Sequence, residues 1–387
     1  MIKEIRLKNW KSFKNVTFKP EGINILIGAN ASGKTNFLEA LELMQKLGRN
    51  ASEQEIKKIR GGQRFFKNMN IENSSEEKTL LECIIENKKI LGEKYFEQLK
   101  ADECIYEIFE NNKEIKDKIK LEAIKEQKIV KKGKEARINK IAVKLFEEAL
   151  GTFLEETIKK EELSKITILD PIPREIRENI KDTYNNFIEK DCSNLINYIS
   201  NLPNEERKKI EKELLKYIKQ LLDHDIEALS FSKIGEMEES SQLYLEENVN
   251  GKTVKLHSDI ISDGTLRFIA IIGVLLLQPS GSILAIEEVD NGIAPSKTKL
   301  LLDIINDISY ERKIDVILTT HNTALMNYLS KELFDYIFFV YRDKKGNSQI
   351  QRIADIPRTA KLMSFGEIGK LMETNKILEY IQGEYNE

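Results

Sequence analysis

The chain is 387 residues long, with Lys+Arg 61 against Asp+Glu 64 and a formal net charge of −3. That balance excludes a globally basic nucleic-acid binder, so any basic surface has to be local. At 41% hydrophobic residues the chain can build a substantial core, and its length suits a single domain with an insertion. Cys83, Cys104 and Cys192 are widely spaced and suit neither a zinc site nor a disulfide framework, which fits a reduced, cytoplasmic setting. The N-terminus lacks the apolar core of a signal peptide, and the longest apolar run, Phe268 to Leu277, is too short to span a bilayer. A soluble protein with no membrane partner is expected.

In chain order, Ile2 to Leu7 alternates in hydrophobicity and Val16-Thr17-Phe18 follows, which predicts a hairpin bending at Lys11-Ser12-Phe13. Ile23 to Ile27 is a short apolar run that reads as a buried strand. It leads into Gly28-Ala29-Asn30-Ala31-Ser32-Gly33-Lys34-Thr35, a match to G-x-x-x-x-G-K-[ST]. Behind it, Phe37, Leu38, Leu41, Met44 and Leu47 recur at helical spacing. A strand, a glycine loop and a helix start present free backbone N–H groups and a helix dipole to phosphate. Gly28 and Gly33 let the backbone curl, Lys34 neutralises β/γ oxygens and Thr35 offers a hydroxyl to Mg²⁺. Asn30, Ala31, Ser32 and Asn36 complete the candidate nucleotide-binding loop. ATP and Mg²⁺ are the expected ligands.

After Gly61-Gly62, the stretches Thr79–Ile85, Ile90, Cys104–Phe109 and Ile115–Ile124 read as antiparallel strands. Between Lys113 and Lys140 the bases outnumber the acids, which fits either a solvated β-surface or a nucleic-acid-facing patch. From Ile141 to Leu222 the pattern turns helical. Leu145 to Leu154 predicts one amphipathic helix, Arg174–Ile199 follows Pro171 and Pro173, and Pro203 opens another helix. That last helix carries a stripe of Ile210, Leu214, Tyr217, Ile218 and Leu221. No heptad register persists, which excludes a long coiled-coil arm. Strands resume at Ala228–Ile234 and Leu243–Glu246, with a tight turn at Asn250-Gly251.

Ile261 to Arg267 then precedes a helix that is apolar nearly all round and so must be buried. Its Ser262-Asp263-Gly264 turn is either ordinary capping or an anion site. Ile283 to Ile286 is an apolar strand ending in Glu287 and Glu288, the Walker B layout. Glu287 is the candidate metal residue, acting through water, and Glu288 the residue to polarise an attacking water. Val316 to Thr320 is a further strand, ending at His321, which can reach a γ-phosphate. Tyr336–Val340 and Gln349–Ile353 predict a hairpin, and Met363–Ile381 a helix.

These motifs, in this order, resemble the ABC-type ATPase heads of the SMC/RecF class. The nearest likeness is to the small AAA-family ATPases of the RecF and OLD type from bacterial DNA repair and anti-phage defence. The opening Ile5 to Phe13, the turn Ser262 to Arg267 and Ile286 to Gly292 carry the likeness, which covers roughly residues 1–90 and 225–345. The resemblance adds Lys11 and Ser12 to the nucleotide contacts. It implies an ATP-sandwiched homodimer, or a higher oligomer, in which Ser262 and Gly264 of one copy face Lys34, Thr35, Glu287, Glu288 and His321 of the other, with Asp263 counted among the nucleotide-site residues. Glu287 stands where most ABC proteins carry Asp, Ala294 where these relatives carry His, and Asn322-Thr323 where Ser-Pro is common. Gln63 and Gln127 both remain candidates for the Q-loop glutamine. OLD-type relatives append a Toprim nuclease, for which the tail has neither room nor an acidic strand-end cluster, so any cutting falls to a separate effector.

The expected fold is an α/β, ABC-type P-loop NTPase head with a mixed sheet and an antiparallel β-lobe, interrupted by a compact helical insertion. The expected divisions are 1–135, 136–222 and 223–387. The expected function is a Mg²⁺-dependent ATPase switch that controls an effector such as a nuclease, with DNA or a phage component as further partners. The alternatives are a nucleotide-gated scaffold or sensor with negligible turnover, and a DNA-binding repair factor.

Overall fold

The computed structural model describes residues 1–59, 80–85, 103–107, 160–178, 186–222, 225–234, 240–326 and 331–383. The chain opens with β1 (Ile2–Trp10) and β2 (Phe13–Phe18), then β3 (Ile23–Ile27), α1 (Lys34–Gly48) and α2 (Glu53–Lys57). β4 (Leu80–Ile85), β5 (Glu103–Glu107) and β6 (Ile166–Leu169) come next, followed by α3 (Pro173–Glu178), α4 (Leu195–Ser200) and α5 (Asn204–Leu221). A meander of β7 (Ile226–Ile234), β8 (Ser240–Val249) and β9 (Lys252–His257) leads to α6 (Asp263–Leu277) and β10 (Ile283–Ile286). After α7 (Pro295–Arg312) come β11 (Asp315–Thr320), α8 (Thr323–Met326), β12 (Ile337–Arg342) and β13 (Ser348–Arg352). Three short helices close the described chain: α9 (Thr359–Met363), α10 (Ile368–Glu373) and α11 (Lys376–Gln382).

The central sheet has 6 strands in the order β13-β12-β3-β11-β10-β6. All neighbours in it are parallel except the β12–β13 edge pair. Every residue of β3, β6, β10 and β11 is buried, as expected of parallel strands covered on both faces. Ile25, Leu284, Val316 and Leu318 face a core shared with α4, α5, α6 and α7. Leu26, Ala285 and Ile317 face the other core, built from α1 and the β-lobe. That lobe is an antiparallel sheet in the order β2-β1-β4-β5, sealed by Trp10, Phe13, Phe18 and Phe37. The fold is therefore an α/β P-loop head with a mixed sheet and an antiparallel lobe.

Several local readings change. The stretch read as helical from Ile141 to Leu222 contains β6, which pairs in parallel with β10. Its run Ile166-Thr167-Ile168-Leu169 is too short for periodicity to separate a buried strand from a helical turn. Arg174–Ile199 is not one helix; α3 and α4 flank an irregular segment at 186–194. The tail hairpin forms as predicted, from β12 and β13, and its β12 also pairs with β3 to extend the central sheet. Met363–Ile381 breaks into separate helices, with Gly366 and Asn375 at positive φ between them. The α5 stripe of Ile210, Leu214, Tyr217, Ile218 and Leu221 is buried as read. Cys83 and Cys104, distant in sequence, stand opposite each other across β4 and β5. The Leu145–Leu154 helix, Ile90, Ile115–Ile124, the basic Lys113–Lys140 stretch, Gln63 and Gln127 lie outside the described residues. Among the described residues no helix is long and apolar enough to cross a membrane.

Candidate functional site

The buried strand β3 delivers the chain at Gly28, and α1 begins at Lys34, so residues 28–33 form the loop between them. Ala31 and Gly33 hold φ of 61° and 124°, which lets the loop curl within six residues. A Cβ on Gly28 would lie 2.2 Å from the Val340 carbonyl, and one on Gly33 2.3 Å from Ser348 Oγ, so only glycine fits either place. No side chain caps α1, whose N-cap is Gly33, and its first-turn N–H groups keep the arrangement that attracts anions. Ser32 Oγ is buried without a hydrogen-bond partner. Lys34 Nζ donates to the loop carbonyls of Gly28 at 2.7 Å and Ala29 at 3.0 Å. Burial pushes its ammonium below the usual lysine value, with the Glu288 carboxylate opposing the shift.

At the end of β10 two consecutive carboxylates part company. Glu287 Oε1 accepts from Thr35 Oγ1 at 2.9 Å, which joins β10 to the start of α1. Its other oxygen meets Lys190 Nζ at 3.0 Å. Glu288 sits at φ 47°, its N–H donates to Thr319 Oγ1 at 3.0 Å, and its carboxylate lies 3.3 Å from His321 Nδ1. Both members of that last pair are open to solvent, at 43% and 49% exposure, so the water-facing carboxylate is Glu288.

Arg267 of α6 locks this arrangement from behind. Its buried guanidinium donates to the carbonyls of Glu287 and Glu288, both at 2.9 Å, and to Pro171 O. It also lies 3.5 Å from Asp170, the residue after β6. Burial raises the Asp170 carboxyl, with Arg267 working against that rise.

The Ser262 turn serves the N-terminus of α6. Ser262 Oγ accepts from Thr265 N at 3.2 Å, a capping bond. Asp263 pairs with Arg177 of α3 at 2.6 Å. Gly264 lies against Gly292, whose carbonyl would be 2.6 Å from an added Cβ. Among the described residues, no hydrogen bond or ion pair links Ser262, Asp263 or Gly264 to residues 28–36. Within one copy the predicted site thus falls into two bonded groups: residues 28–36 with Glu287, Glu288 and His321, and the Ser262 turn, which reaches the first group through Arg267 of the same helix. Ala294 N-caps α7 without a side-chain bond, ahead of Pro295. Asp290 instead holds Thr320 and Asn322, at 2.7 and 2.9 Å.

Lys11 and Ser12 reach the loop indirectly. Lys11 Nζ pairs with Glu39 of α1 at 2.6 Å. Ser12 Oγ accepts from Asn36 Nδ2 at 2.7 Å and shares a hydroxyl–hydroxyl bond with Ser348 Oγ at 2.8 Å. Ser348 also donates to Ser32 O, and Arg342 Nε to Ala31 O at 3.1 Å. Ser348, Arg342, Asp170 and Lys190 were not foreseen in the sequence, since none belongs to a motif. The apolar run at Ile337–Val340 is the signal that β12 and β13 join the sheet beside the loop.

Thr35 and Glu287 offer two hard oxygen donors 2.9 Å apart, the donor type that Mg²⁺ takes when water and phosphate oxygens complete its shell. The orphaned Ser32 hydroxyl and the glycine cradle fit a phosphate anion.

A family model described as "AAA domain, putative AbiEii toxin, Type IV TA system" matches residues 23–327. A Helicobacter pylori protein named "ATP/GTP phosphatase" is 24% identical over 366 residues, covering 86% of this chain and 88% of that protein. The DNA replication and repair protein RecF of Limosilactobacillus fermentum is 43% identical over 60 residues, 14% of this chain and 16% of its own. A crystal structure of an SMC head bound to the C-terminal winged-helix domain of ScpA superposes with a TM-score of 0.51. It is 16% identical and covers 90% of this chain and 97% of its own, a likeness of fold. The phosphate loop, the paired carboxylates and the covered parallel sheet agree with these matches, and the chain belongs to this AAA-domain family as an SMC/RecF-like ATPase head.

Proposed function

We propose that this chain is an ATP-hydrolysing switch that closes as a dimer around ATP and controls a separate effector protein. The observation that carries the reading is the Thr35–Glu287 bond beside the glycine loop, with the Glu288–His321 pair open to solvent next to it. The loop's N–H groups take the β- and γ-phosphates, and Lys34 exchanges the carbonyls of Gly28 and Ala29 for phosphate oxygens. Thr35 and Glu287 are the residues to hold Mg²⁺, and the ion supplies charge neutralisation at those phosphates. Glu288 accepts a proton from the attacking water as its oxygen bonds to the γ-phosphorus and ADP leaves. His321 orients Glu288 and faces the γ-phosphate.

Among the described residues no hydrogen bond or ion pair joins the Ser262 turn to its own loop, which supports its use by a second copy: Ser262 and Gly264 complete the γ-phosphate site across the interface. ATP binding to the paired state alone then favours assembly, and hydrolysis reverses it. The name of the Helicobacter relative supports nucleotide hydrolysis. An effector such as a nuclease, within anti-phage defence or DNA repair, is the setting we assign, with DNA or a phage component as the trigger.

Nucleotide binding and turnover test the chemistry. Lys34→Ala is expected to lose ATP binding, while Glu288→Gln keeps it and slows turnover by about 10²- to 10³-fold. Wild-type protein that binds no ATP with Mg²⁺, or a Glu288→Gln variant that turns over normally, overturns the reading.

A further inference from the structure

We infer that Lys190 is a positioning residue that serves Glu287 as an internal counter-cation and competes with a divalent metal for it. This rests on the reading that Thr35 and Glu287 hold the metal. Lys190 Nζ lies 3.0 Å from Glu287 Oε2 and 3.9 Å from Glu42 Oε2. Glu287 Oε1 is meanwhile occupied by the Thr35 hydroxyl. Both oxygens of the carboxylate are therefore engaged in this state, one by a neutral donor and one by a full positive charge.

The backbone that carries Lys190 is fixed to the sheet. Asp170 N donates to Lys190 O at 2.7 Å, Ile172 N to Asp191 O at 3.0 Å, and Cys192 N to Glu189 O at 2.9 Å. Glu189 N in turn donates to the buried Asn194 side chain at 2.9 Å. The ammonium therefore stays within reach of Glu287, while its 37% exposed side chain can swing towards Glu42 and solvent.

Two consequences follow from elementary electrostatics. The ammonium sets a positive charge between Glu287 and Glu42, the second of which also pairs with Lys46 at 2.9 Å. It also repels an arriving divalent cation, so the site favours metal that comes with the negative charge of a nucleotide. Replacing the ammonium by a neutral side chain of similar length lifts that repulsion. Solvent screening limits the gain to about fivefold.

The test is Mn²⁺ binding to the full chain in the presence of ADP, read by electron paramagnetic resonance, which needs no turnover. Lys190→Met is expected to lower the Mn²⁺ dissociation constant about fivefold, with Lys190→Arg unchanged from wild type. Thermal melting checks the fold of each variant, and Lys190→Gln replaces Lys190→Met if the latter melts early. An unchanged constant in Lys190→Met, or weaker binding, overturns the inference. If wild type binds no Mn²⁺ with ADP and Thr35→Val behaves the same, the assignment of Thr35 and Glu287 fails, and this inference falls with it.

Discussion

At the residue scale, the left-handed turn at Glu288 is what gives two adjacent carboxylates different partners. With φ at 47°, the Glu288 side chain leaves the direction of Glu287 and meets His321, while Glu287 stays against Thr35. Such a conformation costs a non-glycine residue about 1 kcal/mol or more, and it persists here because Thr319 and Arg267 both hold the Glu288 backbone. Asp315, a buried carboxylate at the start of β11, shows the cost of burial without full pairing. Its Oδ1 accepts from Gly22 N at 2.8 Å, but Oδ2 is buried without a partner. Burial raises its carboxyl above 3.8, only partly countered by the Gly22 N–H. A raised folded value means that the ionised form is disfavoured in the fold. The cost is absent below 3.8 and builds as pH rises through the folded value. Asp315→Asn keeps the acceptor for Gly22 and removes the charge, so it is expected to stabilise by about 1 kcal/mol at pH 7. The gain should vanish in acid. Urea unfolding at both pH values checks this, and a less stable variant at pH 7 contradicts it.

Residue motifs were legible where the chemistry is local. The loop from Gly28 to Thr35 needs its glycines and lysine at fixed spacing, and Glu287-Glu288 need a buried strand directly before them. Lys190, Ser348 and Arg342 were illegible for the opposite reason: each reaches the site through a turn or sheet edge that exists only once distant strands pair.

At the element scale, α6 is the pivot between the two halves of the head. Residues Thr265 to Leu276 are all buried, and the helix carries Ser262 at its N-terminus and Arg267 against the end of β10. Its apolar composition predicted that burial directly. What composition did not reveal was β6, which pairs with β10, or that the predicted tail hairpin joins the central sheet through β12 and β3. Sheet order depends on non-local pairing, which no local pattern encodes. Within α6, Gly273 is a helix-interior glycine whose added Cβ would sit 3.7 Å from Leu214 and 3.8 Å from Ile199, ordinary contact distances. Gly273→Ala is expected to stabilise the protein by about 1 kcal/mol through helix propensity and a buried methyl. The same change at Gly48 drives a Cβ to 2.5 Å from Ser164 N and is expected to destabilise. Thermal melting of both variants reads the pair, and equal effects at the two positions contradict the packing described.

At the scale of the whole molecule, one copy holds a phosphate loop and a Ser262 turn that, among the described residues, share no hydrogen bond or ion pair. The fold makes each rigid: β12 and β13 brace the loop through Arg342 and Ser348, and Arg177 holds the turn through Asp263. A rigid half-site on each of two surfaces is suited to closing against a second copy, with ATP as the part that joins them. In the proposed switch ATP, and its removal by Glu288, sets the assembly state. The most direct test is the molar mass in solution of wild type and Glu288→Gln, each with ATP and Mg²⁺. Glu288→Gln is expected to double in mass on adding ATP and to stay doubled, while wild type returns to one chain as ATP is consumed. A Glu288→Gln variant that binds ATP and keeps the same mass contradicts it.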